Sequence, residues 1–288
     1  MDAANNTKLM KLTDGRTLCF SEYGNTSGKP VIYFHGFLGS RLEVQRFDQI
    51  VKANNYRLIA VDRPGMGLSS LDTNRSILST IDDIVSLANY LKLDKFSVLG
   101  HSGGGIFVAA CAYAISHRLN AAAIVSGMAP FTNSASHVGM MRAQLISCKL
   151  IKRFPFLATP MMRINKMMLN KSDKLLEKMI KPLPDVDKEI FRDPVGGKEV
   201  INSSLESFRM GVAGPAYEMK LILNPWGFRL EDISFPVTIW HGGLDTQARI
   251  VHGKIYAQSI PNSTLKIFEN DGHHSLIKNH FEQIINSL

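Results

Sequence analysis

Phe96-Ser97-Val98-Leu99-Gly100-His101-Ser102-Gly103-Gly104-Gly105-Ile106-Phe107-Val108-Ala109-Ala110 is the stretch that decides the fold of this chain. A short apolar run, a serine hedged by glycines, and a run of small and apolar residues follow without a break. The first reads as a strand and the last as a helix. Between them, Gly100-His101-Ser102-Gly103-Gly104 fits a nucleophile elbow, a strand-to-helix turn that pushes a serine hydroxyl out of strained backbone. Side chains two positions either side of the serine would collide, so glycine is needed at 100 and 104. The helix starts at the serine, and its first amides face any negative charge developing there.

Outward from this stretch, strands and helices alternate. Residues 17–23 alternate apolar and polar and predict an early antiparallel strand. Residues 31–34, 58–61 and 121–125 are continuous apolar runs, as expected of strands buried on both faces. Helical patterns lie at 44–53, 77–91 and 103–116. The pattern breaks between Pro130 and Asp232, a proline-cut, methionine-rich stretch that is helical in composition with no clear strand. It returns with a strand at 235–240, another at 264–268 and a last helix from Ser275. The prediction is an α/β core, residues 1–129 and 233–288, with residues 130–232 inserted as a helical cap.

Composition narrows the class. The chain has 288 residues, 45% hydrophobic and 20% charged, values of an ordinary globular protein. Met1-Asp2-Ala3-Ala4-Asn5-Asn6 is polar, with no apolar core of a signal peptide, and no apolar run reaches membrane-spanning length. Cys19, Cys111 and Cys148 are few and widely spaced, so neither a disulfide framework nor a zinc site is indicated. Reduced thiols and a cytoplasmic location are the expectation.

An activated serine needs a base and a group that orients the base. In a parallel sheet such groups sit in loops at the carboxyl ends of strands. One such loop is His241-Gly242-Gly243-Leu244-Asp245; another is Glu269-Asn270-Asp271-Gly272-His273-His274. The order Ser102, Asp245, His273 is the one this elbow class uses. Asp232 and Asp271 compete with Asp245, and His274 competes with His273. The oxyanion hole needs two backbone amides, for which Gly103 N–H and Phe37 N–H, after the strand at 31–34, are the candidates. His35 reads as structural. His101 and Met128 are candidate substrate contacts. Asp62, before Arg63-Pro64-Gly65, reads as shaping a turn. His117, His137, His252 and His280 have no evident partner and read as surface residues.

Taken together, these motifs resemble the α/β-hydrolase fold family. The likeness rests on His35-Gly36-Phe37-Leu38-Gly39-Ser40-Arg41, Asp62-Arg63-Pro64-Gly65-Met66-Gly67-Leu68-Ser69, the elbow, Trp240-His241-Gly242-Gly243-Leu244-Asp245 and Asp271-Gly272-His273. It implies a mostly parallel eight-stranded sheet with helices on both faces, a cap over the site, no metal and no cofactor. It also implies the base directly after Gly272. Leu38 departs from the family, whose first loop carries a proline there, and a local change of the loop is expected. The activity implied is serine hydrolysis of a carboxylic ester. An amide, thioester or lactone, as in proline-iminopeptidase-like relatives, and a ligand sensor without turnover are the alternatives. Dehalogenase and epoxide-hydrolase chemistry fit poorly, because those relatives carry aspartate at the position of Ser102.

The net charge of +8 has one source. Arg142 to Lys181 holds ten basic residues against Asp173 and Glu177, and the rest is near balance. No nucleic-acid motif accompanies it. The plain reading is amphipathic lid helices with lysines in water. The sharper one is a methionine-rich lid that accepts an acyl chain and touches anionic lipid. A small-molecule ester or acyl substrate is the expected partner, nucleic acid is not, and the sequence leaves oligomeric state open.

Overall fold

The structure, a computed structural model, describes residues 6–169, 177 and 180–288. Met1 to Asn5 and the cap residues Lys171, Asp173, Lys174, Lys178 and Met179 lie outside the described residues. Eight strands form one sheet: β1 (Thr7–Lys11), β2 (Thr17–Gly24), β3 (Lys29–Phe34), β4 (Tyr56–Asp62), β5 (Phe96–His101), β6 (Leu119–Val125), β7 (Val237–Gly242) and β8 (Ser263–Phe268). Their order is β1-β2-β4-β3-β5-β6-β7-β8. Only β1–β2 and β2–β4 pair antiparallel; the rest are parallel.

Burial explains the strand sequences. Every residue of β5 is buried, and so are the last four residues of β3 and all of β4 but Arg57, because helices cover both faces. One face meets α2 (Ile77–Tyr90) and α3 (Gly105–Ala114) through Ile32, Phe34, Val98, Ile84 and Phe107. The other meets α1 (Asp48–Ala53) and α10 (His273–Ile285), the helix that follows α9 (Ile250–Ser259), through Tyr33, Leu99, Trp240, Val51 and Phe281. Ser76 and Ser79 cap each other's amides and start α2 at the expected residue.

Three expectations change in detail. The segment at 44–53 begins as a 3-10 helix, Arg41–Phe47, and only then becomes α1. Its buried residues are Arg41, Val44 and Phe47, the three-residue period of that helix type. The elbow is likewise a 3-10 turn, Ser102–Gly104, ahead of α3. The last helix starts two residues early, at His273. β1 was not expected from its own sequence.

Between Pro130 and Asp232 the described residues contain no strand. They hold α4 (Arg142–Arg153), α5 (Ala158–Leu169), α6 (Asp185–Arg192), α7 (Gly196–Ser207) and α8 (Ala213–Leu223). Cys148 and Ile151 of α4 and Ala158 and Met162 of α5 pack with Phe208, Met219 and Leu223 into a separate small core. No helix among the described residues is long and apolar enough to cross a membrane.

Candidate active site

Ser102 stands at the end of β5 with φ +53°. A non-glycine residue held there stores strain. A Cβ at Gly100 would lie 2.5 Å from the Gly104 carbonyl oxygen, and one at Gly104 would strike the Phe34 carbonyl. The glycines flanking the turn are therefore sterically required. Asp245 and His273 come from the loops after β7 and β8. His273 Nδ1 donates to Asp245 Oδ2 at 2.7 Å, and both residues are buried. Asp245 Oδ1 accepts from the Gln247 and Ala248 amides at 2.8 and 2.9 Å, which fixes the carboxylate.

These contacts set the charges. Burial opposes ionisation of His273, but the Asp245 carboxylate outweighs it, aided by Asp187 and Glu43, and raises the imidazole above its ordinary value of 6.5. Burial also opposes the Asp245 charge, and the paired imidazole holds that carboxyl low. His274, with no carboxylate partner among the described residues, is driven well below 6.5 by burial and by the neighbouring His273 and His101. Asp271 binds Asn279 and His280 instead, at 2.8 Å each, and is not available to His273. A base must be neutral to accept a proton, so kcat/KM is expected to fall as pH drops, with a midpoint above 6.5. A pH–rate profile checks this; a midpoint at or below 6.5 would contradict a maintained His273–Asp245 pair.

The two candidate oxyanion amides are neighbours. A Cβ on Gly103 would lie 3.0 Å from Phe37 N, and Phe37 N–H has no acceptor among the described residues. Leu38 follows with φ +60°, which proline, fixed near −65°, cannot adopt. A proline at this position would thus require another loop conformation, whereas with leucine the Phe37 amide lies beside Gly103. Leu38→Pro is expected to lower kcat/KM by about 100-fold through displacement of that donor, read from steady-state kinetics.

Ser102 lies where two cavities meet. The smaller, about 80 Å³, is lined by Gly36, Phe37, Glu43, Arg46, Glu199 and His273. The larger, about 360 Å³, is lined by Phe37, Met128, Met140, Met141, Arg249 and His252. Ser102 and His273 make no hydrogen bond with each other among the described residues; such contacts often tighten only once substrate binds. Met128 lines the larger cavity, and its N–H donates to the Ser102 carbonyl at 3.2 Å. His101 Nδ1 meets Glu43 Oε1 at 2.6 Å, and Nε2 faces the His273 carbonyl at 3.2 Å. Both ring nitrogens of His101 are thus engaged by oxygen atoms.

Several groups around the site were not expected from sequence. Glu43 Oε2 accepts from Gly36 N–H at 2.7 Å, so one carboxylate ties the His35-Gly36-Phe37 loop to His101. Burial opposes its charge, but His101 holds it down to about 2. Ser40-Arg41-Leu42-Glu43 has the form of a capping box, and that spacing was the available signal. Arg63, beneath the same loop, donates to the His35 and Gly36 carbonyls and to both oxygens of Glu218 from α8, at 2.8 and 2.6 Å. Asp187 of α6, wholly buried, accepts from the His273, His274 and Ser275 amides at 2.8, 3.0 and 2.8 Å. Helices α6 and α8 thus hold both the His35-Gly36-Phe37 loop, through Arg63, and the helix that begins at His273.

The remaining histidines divide. His35 is buried, with Nε2 accepting from Arg63 N–H, and burial lowers it to about 3, as suits a structural ring. His252 is not at the surface: it is buried, lines the larger cavity, and accepts from Ala129 N–H at 3.0 Å. His280 and His137 also have partners, Asp271 and the Phe131 carbonyl. His117 is exposed. Asp62 shapes its turn, accepting from the Arg41 and Leu68 amides at 2.8 and 3.2 Å.

A family model described as alpha/beta hydrolase fold matches residues 29–280. A proline iminopeptidase from Xanthomonas citri is 34% identical over 110 residues, 36% of this chain and 34% of the relative. The match spans only about a third of that enzyme's length. Among solved structures, a hydrolase from Pseudomonas aeruginosa PA01 superposes with TM-score 0.69 at 17% identity, covering 99% of this chain and 98% of the other. An esterase from Rhodococcus sp. ECU1013 gives 0.65 at 18%, covering 98% of each.

Proposed function

Because the chain belongs to the α/β-hydrolase fold family, we propose that it is a serine hydrolase that cleaves a carboxylic ester through an acyl-enzyme. The carrying observation is the 2.7 Å His273–Asp245 hydrogen bond in the cavity wall that also holds the outthrust Ser102. Ser102 Oγ attacks the ester carbonyl as His273 Nε2 takes its proton. The Phe37 and Gly103 amides donate to the tetrahedral oxygen. Collapse breaks the ester C–O bond, and His273 returns the proton to the departing alcohol. His273 then deprotonates a water that attacks the acyl group, releasing the acid and restoring Ser102. Asp245 holds the tautomer throughout and stabilises the charged ring.

The cap favours an ester over a substrate with a free amine. Binding an ammonium group calls for an unengaged carboxylate. Glu218 is held by Arg63 and Arg75, Glu206 by Arg41, and Asp187 by three amides. A proline-iminopeptidase activity is the second reading, favoured by the Xanthomonas relative and by Glu199 in the smaller cavity. Short-chain 4-nitrophenyl esters and proline 4-nitroanilide separate the two. The expected result is a burst of nitrophenol followed by steady ester turnover, with little anilide cleavage. Anilide cleavage alone would replace the ester reading. A burst with no steady phase would favour a ligand sensor.

A further inference from the structure

We propose that the outer face of α4 and α5 docks on a membrane surface rich in anionic lipid. The inference does not depend on the reaction assigned to Ser102. Half of the exposed large apolar side chains among the described residues, eight of sixteen, lie between Val138 and Met167. Ile146, Leu150 and Phe154 recur at helical spacing along one side of α4, and Ile164 and Met167 continue on α5, between 42% and 57% exposed. Phe156, in the link between the two helices, is 69% exposed. The opposite side is already occupied, because Cys148, Ile151 and Met162 pack inward on Phe208 and α8. A surface helix ordinarily turns its polar side outward. Here the outward side is apolar as well as charged.

The charge supplies the partner's sign. Residues 142–169 contain no aspartate or glutamate. Arg142, Lys149, Lys152, Arg153 and Arg163 are all exposed, and none has an ion-pair partner among the described residues. Basic residues interleaved with exposed leucine, isoleucine and phenylalanine on short helices match a helix lying in the interface of an anionic bilayer. A soluble polyanion would use the charges and leave the phenylalanines in water. Met141 belongs to both surfaces, being 57% exposed and lining the larger cavity that reaches Ser102. The face therefore adjoins the mouth of the site.

Flotation of the full chain with vesicles tests this, using phosphatidylcholine alone and phosphatidylcholine with added phosphatidylglycerol, at low and high salt. The expected result is flotation with the anionic vesicles only, weakened by salt. Lys149→Glu with Arg153→Glu is expected to lower partitioning by about fivefold or more per residue. Leu150→Ser with Phe156→Ser is expected to abolish measurable flotation. These side chains are exposed, so the variants should keep the wild-type melting temperature and 4-nitrophenyl ester turnover. Equal flotation with both vesicle types, or none with either, would overturn the proposal. So would anionic binding that survives Leu150→Ser with Phe156→Ser, the mark of a simple polycation. A dimer in light scattering that Phe156→Ser dissolves would assign the face to a second copy of the chain and overturn it equally.

Discussion

Ser102→Ala is expected to lower kcat for ester hydrolysis by about a millionfold while leaving the protein folded. The hydroxyl is the only part of the side chain that the reaction uses, and alanine keeps the Cβ that the turn already accommodates. Residual rate would come from the Phe37 and Gly103 amides and from substrate binding. The companion variant, Ser102→Gly, separates chemistry from strain. At φ +53° glycine removes the Cβ penalty, so it should be equally inactive yet more stable by about 1 kcal/mol. Thermal unfolding and ester turnover measured on the same preparations check both halves. A Ser102→Ala protein with near wild-type turnover would remove the nucleophile from the account.

Asp187→Ala should have the second largest effect, on activity and stability together. Its carboxylate satisfies three amides at the start of α10 from a wholly buried position. Leaving a buried donor without its acceptor costs about 1–3 kcal/mol, and water entering the vacated space offsets part of this. A stability loss of about 3 kcal/mol is expected. Turnover should fall by about 100-fold as the first turn of α10 shifts and carries His273 with it. Asp187→Asn distinguishes positioning from mere support. It keeps one acceptor oxygen but removes a negative charge that raises the His273 pKa. The acid limb of kcat/KM should therefore move to lower pH. An unmoved limb in a folded Asp187→Asn protein would mean that Asp187 supports α10 without acting on the base.

What the sequence made legible follows the range of the interactions. The elbow was readable because much of its reason is local: a Cβ at Gly100 would meet the Gly104 carbonyl four residues on, and β5 and α3 flank the turn. Asp245 and His273 were found from loop position and order. Their rivals Asp271 and His274 could be set aside only once the Asp271–His280 pair and the environment of His274 were visible. Asp187 was hidden because Pro184-Asp185-Val186-Asp187 looks like any acidic helix start, and its partners lie 86 to 88 residues away. Glu218 and Arg63 are 155 residues apart. β1 escaped because only Met10 of its five residues is buried, so an edge strand with two lysines carries almost no apolar pattern. His252 was misplaced because burial of a lone histidine has no sequence signature, whereas the cavity that buries it is built from six separate stretches of chain.

An activated nucleophile at Ser102 should react covalently with an electrophilic phosphonate. The intact protein would be treated with a fluorophosphonate, weighed by mass spectrometry and digested to map the adduct, with Ser102→Ala in parallel. One stoichiometric phosphonyl adduct is expected on the Ser102 peptide, lost in Ser102→Ala and slowed as His273 becomes protonated. A folded wild-type protein that stays unlabelled, or an adduct on a different residue that persists in Ser102→Ala, would contradict an activated nucleophile at Ser102.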